Sequence, residues 1–337
     1  MAQKKKISAL TAFALAAALA LSACGGGGGG GSGGSASGSD NSSSGSGSSS
    51  SGSSSTATGN VTTPVYTSAS AQAAIFNTIN TKRQACGFPA LTENTLLDKS
   101  SQAHADYIGN NGGTITDTEV STNTGFTGVT YGNRATAVGY PASSVFIAGE
   151  SAGLYTNATL TETEYGTDIA TAWSSGVYHV AAFVWPVTQI GVGWNETTYN
   201  GFPEAHGVIT IANLQSMSGN FPLMFPCDGA TDVPPKVAGE IPTPPNTNGT
   251  LGPTLAVSAN SGNTVTLSSG TLTDTSGNVI TLQVLNSVTD ANKLIQTYEA
   301  RAYPASPLSP NTKYSATLTG TYNGVPFTRT GSFTTGS

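Results

Sequence analysis

Basic residues are scarce in this sequence: 12 Lys and Arg stand against 18 Asp and Glu, and only 9% of the 337 residues are charged at all. Three of those lysines, Lys4, Lys5 and Lys6, lie at the extreme N-terminus, and removing them takes the net charge from −6 to −9. An acidic, Lys-poor surface argues against nucleic acid and anionic lipid headgroups as partners. Long hydrophobic runs are also missing. After the first two dozen residues no stretch approaches the ~20 apolar residues that a bilayer span needs. Cysteine is almost absent, at Cys24, Cys86 and Cys227.

The N-terminus is the plainest part of what is present. Lys4-Lys5-Lys6 precede an apolar, Ala-rich run from Ile7 to Leu21, and Leu21-Ser22-Ala23-Cys24 closes it. That layout is a secretory signal. Its end resembles a bacterial lipobox, whose Cys becomes the lipidated N-terminus, so residues 1–23 are expected to be removed and Cys24 to carry the anchor. Gly25 follows where an Asp would favour inner-membrane retention, which points to the outer membrane. The mature chain would meet the membrane through that lipid only. From Gly25 to about Asn60 the chain is nearly all Gly and Ser, with nothing to bury, and the segment 24–66 is taken as one unit. It reads as a disordered tether reaching roughly 30–35 Å. With Cys24 used by the lipid, Cys86 and Cys227 remain as an even pair in an oxidising compartment and are expected to be bridged.

The remaining ~275 residues exceed one ordinary core, so two domains are expected. Pro234-Pro235, Pro242 and Pro244-Pro245 mark a stiff linker over 229–252. Ahead of it, Ser68 or Ser70 can cap a helix carrying Ile75, Ile79 and Arg83. Asn94 can cap a second, with Leu97, His104 and Ile108 on one stripe. A short third helix fits Asp168 to Ser174, and strands read through Ile190, Val192 and Trp194 and through Val208 to Ile211. Trp173, Trp185 and Trp194 are spaced as core residues. Past the linker, residues 253–337 alternate as strands, with turns at Ser276-Gly277-Asn278 and Asn323-Gly324. Short strands at this spacing suggest a small all-β sandwich, and the segment resembles bacterial Ig-like modules.

Gly149-Glu150-Ser151-Ala152-Gly153 spells G-x-S-x-G and raises a serine esterase with Ser151 as nucleophile. A nucleophile elbow needs a strand before the Ser, a helix after it, and an acid and a His further on. Leu154 to Thr159 is a poor helix, and His179 and His206 follow too soon for an α/β-hydrolase sheet.

The second reading of the same residues rests on a longer series. Arg83-x-x-x-Gly87, Leu96, Ala103-His104-Ala105-x-Tyr107, Gly125-Phe126-Thr127-Gly128, Arg134, Gly139-Tyr140, Gly149-Glu150, Trp173, Tyr178-His179 and Ile190-Gly191-Val192-Gly193 follow one another in an order that resembles the bacterial branch of the CAP family. These are the SCP-like domains related to cysteine-rich secretory and pathogenesis-related proteins. The likeness covers about residues 67–228 and implies an α-β-α sandwich. It also implies an open cavity lined by two His and one or two Glu, in some members holding a divalent metal. Glu150 falls on the Gly-Glu position and His179 on the second His, whereas the first-His position reads Asp117. The second Glu is missing after Trp173. Asp117, Glu150 and His179 would make an oxygen-rich set suited to a weakly bound Mg²⁺, Mn²⁺ or Ca²⁺ rather than to Zn²⁺. Alternatively, Glu150 and His179 bond to each other and merely hold the fold. His104 and His206 read as packing and strand-end residues.

The expectation is therefore an α+β chain, with a CAP-like α-β-α sandwich followed by a small all-β Ig-like sandwich. It is an exported, lipid-anchored envelope protein, monomeric and without a required cofactor. Its expected role is non-enzymatic, binding a lipid, sterol-like or envelope ligand or a protein partner. The alternatives are an esterase at Ser151 and a metal-assisted hydrolase in the cavity.

Overall fold

The computed structural model describes the backbone of residues 6–13 and residues 59–337. The expected lipidation site Cys24 and most of the expected tether lie outside the described residues. In chain order the first half runs β1 (Lys6–Phe13), α1 (Ala71–Ala85), β2 (Thr92–Glu93), α2 (Thr95–Asn110), α3 (Tyr131–Ala137), β3 (Ile147–Tyr155), α4 (Glu162–Trp173), α5 (Ala181–Val184), β4 (Val187–Tyr199) and β5 (Phe202–Leu214).

The helices start where side chains can take up free backbone N–H groups. Ser70 accepts from Ala73 N, and Asn94 accepts from Leu96 N and Leu97 N. Helix α4 begins six residues before the expected Asp168, because Thr161 and Glu164 form a reciprocal capping box. A second box, Thr130 with Asn133, starts α3, which sequence periodicity did not suggest.

Strands β3, β4 and β5 form an antiparallel sheet with helices on both faces. On one face α1, α4 and α5 bury Ile75, Ile79, Ile169 and Phe183 against Ala148, Leu154, Ile209 and Ile211. Each such fully buried side chain contributes roughly 1.5–3 kcal/mol. On the other face α2 and α3 cover Ile147, Val208 and Ala212. Helix α2 lies so close to β4 that a Cβ on Gly191 would stand 2.1 Å from Leu97 C, and one on Gly193 2.2 Å from Ser101 C. Only Gly permits that approach, which accounts for the Ile-Gly-Val-Gly pattern. This is the expected α-β-α sandwich, and all three Trp are buried in it.

The second half is β-rich: β6 (Leu223–Phe225), β7 (Ala230–Val233), β8 (Val237–Ala238), β9 (Glu240–Ile241), β10 (Thr250–Leu251), β11 (Leu255–Ser258), β12 (Val265–Asp274), β13 (Val279–Thr281), β14 (Gln283–Asn286), β15 (Glu299–Tyr303), β16 (Lys313–Tyr322) and β17 (Val325–Thr335). A four-stranded sheet, β14-β15-β11-β6, faces a five-stranded one, β13-β12-β16-β17-β7. Leu255, Val257, Leu267, Ala302, Leu318 and Phe333 fill the space between them.

The segment 229–252 is not the free spacer that its prolines suggested. β7 joins the five-stranded sheet, β8 pairs with β10, and β9 joins the sheet of the first half. β6, from the end of the first half, is itself a strand of the second. Phe225, Ala256 and Tyr298 belong to the same buried cluster as Trp173 and Trp185, so the core of the first half extends into the β-rich half, whose sheets enclose a second cluster of their own. Cys86 and Cys227 are bridged, with Cα atoms 5.0 Å apart and a sequence separation of 141.

At the outer edge of β3 the sheet gains two further strands. The backbone of β1 runs antiparallel to β3, from Lys6 opposite Tyr155 to Phe13 opposite Gly149. On its far side β1 runs parallel to β9, with Leu10 opposite Glu240 and Thr11 opposite Ile241. The expected leader thus supplies a strand between β3 and β9.

Candidate functional site

The edge strand β3 separates two groups of polar side chains. Alternation sends Gly149, Ser151 and Gly153 to the α2–α3 face and Ala148, Glu150 and Ala152 to the opposite one. On the α2–α3 face, Tyr131 donates to Asp117 Oδ1 at 2.5 Å, and its hydroxyl lies 2.8 Å from Ser151 Oγ. Gly149 makes room for this arrangement, since a Cβ there would meet the Tyr131 ring at 2.3 Å.

The loop that carries Asp117 is fixed from behind. Glu119 accepts from Thr127 N and Gly128 N, and His104 is bonded both to Glu119 and to Thr116 O. The Arg134 guanidinium donates to the carbonyls of Gly128, Val129 and Asp117. Both nitrogens of His104 are taken, so it holds the loop, as its place on the helix stripe suggested. His206 lies within β5, and burial pulls its pKa down to about 4.

On the other face, Glu150 Oε1 accepts from Ala182 N at 3.2 Å. His179 does not pair with Glu150, as the sequence left open. Its Nδ1 lies 3.1 Å from Glu240 Oε1. Glu240, the first residue of β9, also accepts from Val177 N at 3.0 Å and Tyr178 N at 2.6 Å. The carboxylate missing after Trp173 is therefore supplied from 61 residues downstream of His179. No local pattern marks it; its only sequence signal is a lone acid in an otherwise uncharged Gly-Glu-Ile step.

The β-rich half grips the same loop. Tyr178 donates to Asp290, Thr254 N donates to Ser175 O, and Arg301 Nε donates to Val177 O. Trp185 Nε1 donates to Glu299, which also pairs with Arg301. From the first half, Arg83 donates to the carbonyls of Ala182 and Trp185.

Electrostatically the site is buried and acidic. Burial raises the Asp117 pKa to about 6, against the Tyr131 and Ser151 hydrogen bonds and the nearby His179 and Arg134. Burial raises that of Glu150 well above the carboxylate range, and the charges of Asp117 and Glu240 push it the same way. Three atoms at this edge are buried without a hydrogen-bond partner: Asp117 Oδ2, Glu150 Oε2 and His179 Nε2. Arg134 Nε, Ser175 Oγ, Thr254 Oγ1 and Arg301 Nη1, in the layers behind, are also without one.

Two chemical expectations do not fit this geometry. Asp117 and Glu150 sit on opposite faces of β3, and one nitrogen of His179 is committed to Glu240. Among the described residues no three His, Cys, Asp or Glu side chains gather into a group that could hold a metal ion. The expected ligand set of Asp117, Glu150 and His179 is thus not assembled. The whole Gly149–Gly153 run lies inside β3, so Ser151 is not on a strand-to-helix turn. Its hydroxyl faces Tyr131 and Asp117 rather than an imidazole.

No curated protein shows significant similarity to the chain. Residues 76–213 match the model of the cysteine-rich secretory protein family, CAP. The matched span takes in α2, α3 and all three central strands together with Asp117, Glu150 and His179, but stops before Glu240. The buried polar groups on either side of the β3 edge thus lie inside the matched span, and residues 76–213 form a domain of the cysteine-rich secretory protein (CAP) family.

Proposed function

We propose that this is an exported, lipid-anchored envelope protein whose CAP domain binds a ligand in the cleft between Asp117 and His179 without transforming it. The observation that carries the reading is the trio of orphaned atoms, Asp117 Oδ2, Glu150 Oε2 and His179 Nε2, around one strand edge. An unmet buried polar group costs about 1–3 kcal/mol, and native folds leave few of them. Such atoms occur elsewhere among the described residues too, but these three lie on the positions from which the family resemblance builds a cavity and flank one strand edge, where a ligand would meet them. The leader sequence, Cys24 and the Gly/Ser tether support export and anchoring, with the outer membrane as destination. The β-rich half, Ig-like in pattern, braces the His179 loop.

Native mass spectrometry of the protein purified from its own envelope in mild detergent tests the reading. A bound mass should appear with wild type and disappear with Glu150→Gln/His179→Ala. Bare protein in both preparations, with no shift in Tm on adding envelope extract, would remove it. Cys24→Ser should move the protein from the membrane fraction to the soluble one; an unchanged distribution would remove the anchor.

A further inference from the structure

The β3 edge and β9 do not pair with each other; they stand on either side of a single strand, β1. Adjacent strands lie about 4.8 Å apart, so two edges with one strand between them define a slot roughly 9.6 Å across. Its walls present unpaired N–H and C=O groups from both sides whenever β1 is elsewhere. Under the export reading, β1 belongs to the leader and is cut away at Cys24, and the slot is vacated. We infer that this slot is a binding site for one extended polypeptide segment, entered antiparallel to β3 and parallel to β9. This inference rests on the proposed cleft-binding role and names the class of ligand.

Three observations favour a peptide over other occupants. The slot already accepts the backbone of eight residues, Lys6–Phe13, in register with β3. Strand addition draws its affinity from main-chain hydrogen bonds and its selectivity from alternate side chains. The orphaned atoms lie where those side chains would arrive. Paired residues of an antiparallel ladder share a face, so the ligand residue opposite Glu150 enters the Glu150–His179 side. The residue opposite Ser151 enters the Asp117–Tyr131 side. In β1 these positions are Ala12 and Thr11. The mixed character of the lining, raised carboxyls beside an imidazole, suits neutral amide and hydroxyl groups better than a charged ligand. The preferred peptide therefore carries Ser, Asn or Gln opposite Glu150 and otherwise small or apolar residues.

The test uses the chain from Cys24 onward, with Cys24→Ser to leave out the lipid, and synthetic peptides. A peptide with the sequence of Lys6–Phe13 should bind with one-to-one stoichiometry and slow hydrogen exchange at the outer amides of β3 and at β9. N-methylation at Thr11 and Ala12, one amide facing each edge, should weaken it at least tenfold. An Ala12→Asn peptide should bind about fivefold tighter, as one buried hydrogen bond allows. In the full-length chain, Leu10→Pro with Ala12→Pro should strip protection from the same β3 amides while circular dichroism stays unchanged. That arm decides the question if the chain from Cys24 does not fold alone. No change in β3 exchange in either arm overturns the inference. A non-peptide mass in the cleft, lost in Glu150→Gln/His179→Ala, together with peptides that do not bind, overturns it too and leaves the cleft-binding proposal standing.

Discussion

Asp117 shows how a single position records the character of the site. Its carboxyl is buried, and its folded pKa of about 6 exceeds the unfolded value of about 4. The folded state then holds its proton more tightly than the unfolded chain. The corresponding stability is fully present below pH 4 and is lost as pH rises through 6. Asp117→Asn keeps an acceptor for Tyr131 and does not titrate. Relative to wild type, its stability at pH 8 should improve over that at pH 4 by on the order of 2–3 kcal/mol. Urea denaturation at the two pH values measures this, and parallel curves for the two proteins would refute it. Glu240 makes the opposite case. It accepts from two backbone N–H groups and faces His179, all buried, so Glu240→Ala leaves those donors unmet. A loss of about 3 kcal/mol or more is expected, with a changed tautomer at His179 in ¹⁵N spectra. An unshifted midpoint would show that Glu240 is incidental.

At the scale of elements, hydrophobic period and capping residues made much of the fold legible. Ser70 and Asn94 start α1 and α2 where expected, and the alternating runs of the C-terminal half are strands. What escaped has a common physical cause. The short helix α3 contains Gly132 and Thr136 and is set by its capping box and by Arg134, not by an apolar stripe. The prolines of 229–252 excluded long strands but not the two- to four-residue strands that weave this segment into three sheets. The family pattern pointed to Asp117, Glu150 and His179, which the fold brings to the β3 edge without joining them into one ligand set, whereas the partner of His179 lies far along the chain, where no local rule reaches. The disulfide follows the same weave. Cys227 sits between β6 and β7, strands of opposite sheets, and its bridge to Cys86 closes a loop worth about 4–5 kcal/mol on the chain-entropy estimate. Cys86→Ser/Cys227→Ser should therefore lower the thermal stability of both halves. Calorimetry in which the β-rich half melts at its wild-type temperature would contradict this.

For the molecule as a whole, the two halves are joined by buried contacts. Trp185, Glu299 and Arg301 meet across the boundary, and Phe225, Ala256 and Tyr298 are shared core. Thermal unfolding should show one transition in which calorimetric and van't Hoff enthalpies agree; two resolved peaks would refute it. A chain of residues 59–228 keeps every residue of the family match yet loses Glu240, Glu299 and Arg301. It should give a poorly dispersed NMR spectrum, and sharp, native-like dispersion would show that the CAP half stands alone.

The seat of β1 between β3 and β9 also sets a clock. Residues 6–13 leave the ribosome first, whereas β9 follows some 230 residues later, roughly 10–50 s at ordinary translation rates. During that interval the leader has no slot to enter and is free for the export machinery. Once Ile241 has been made, the same eight residues have a competing destination inside their own protein. Under the export reading, a delay in translocation would commit the precursor to a folded form with its leader sheltered from the protease. Timely export and burial of the leader within its own protein would then be alternative fates of one short segment, decided by the order in which the sequence is made.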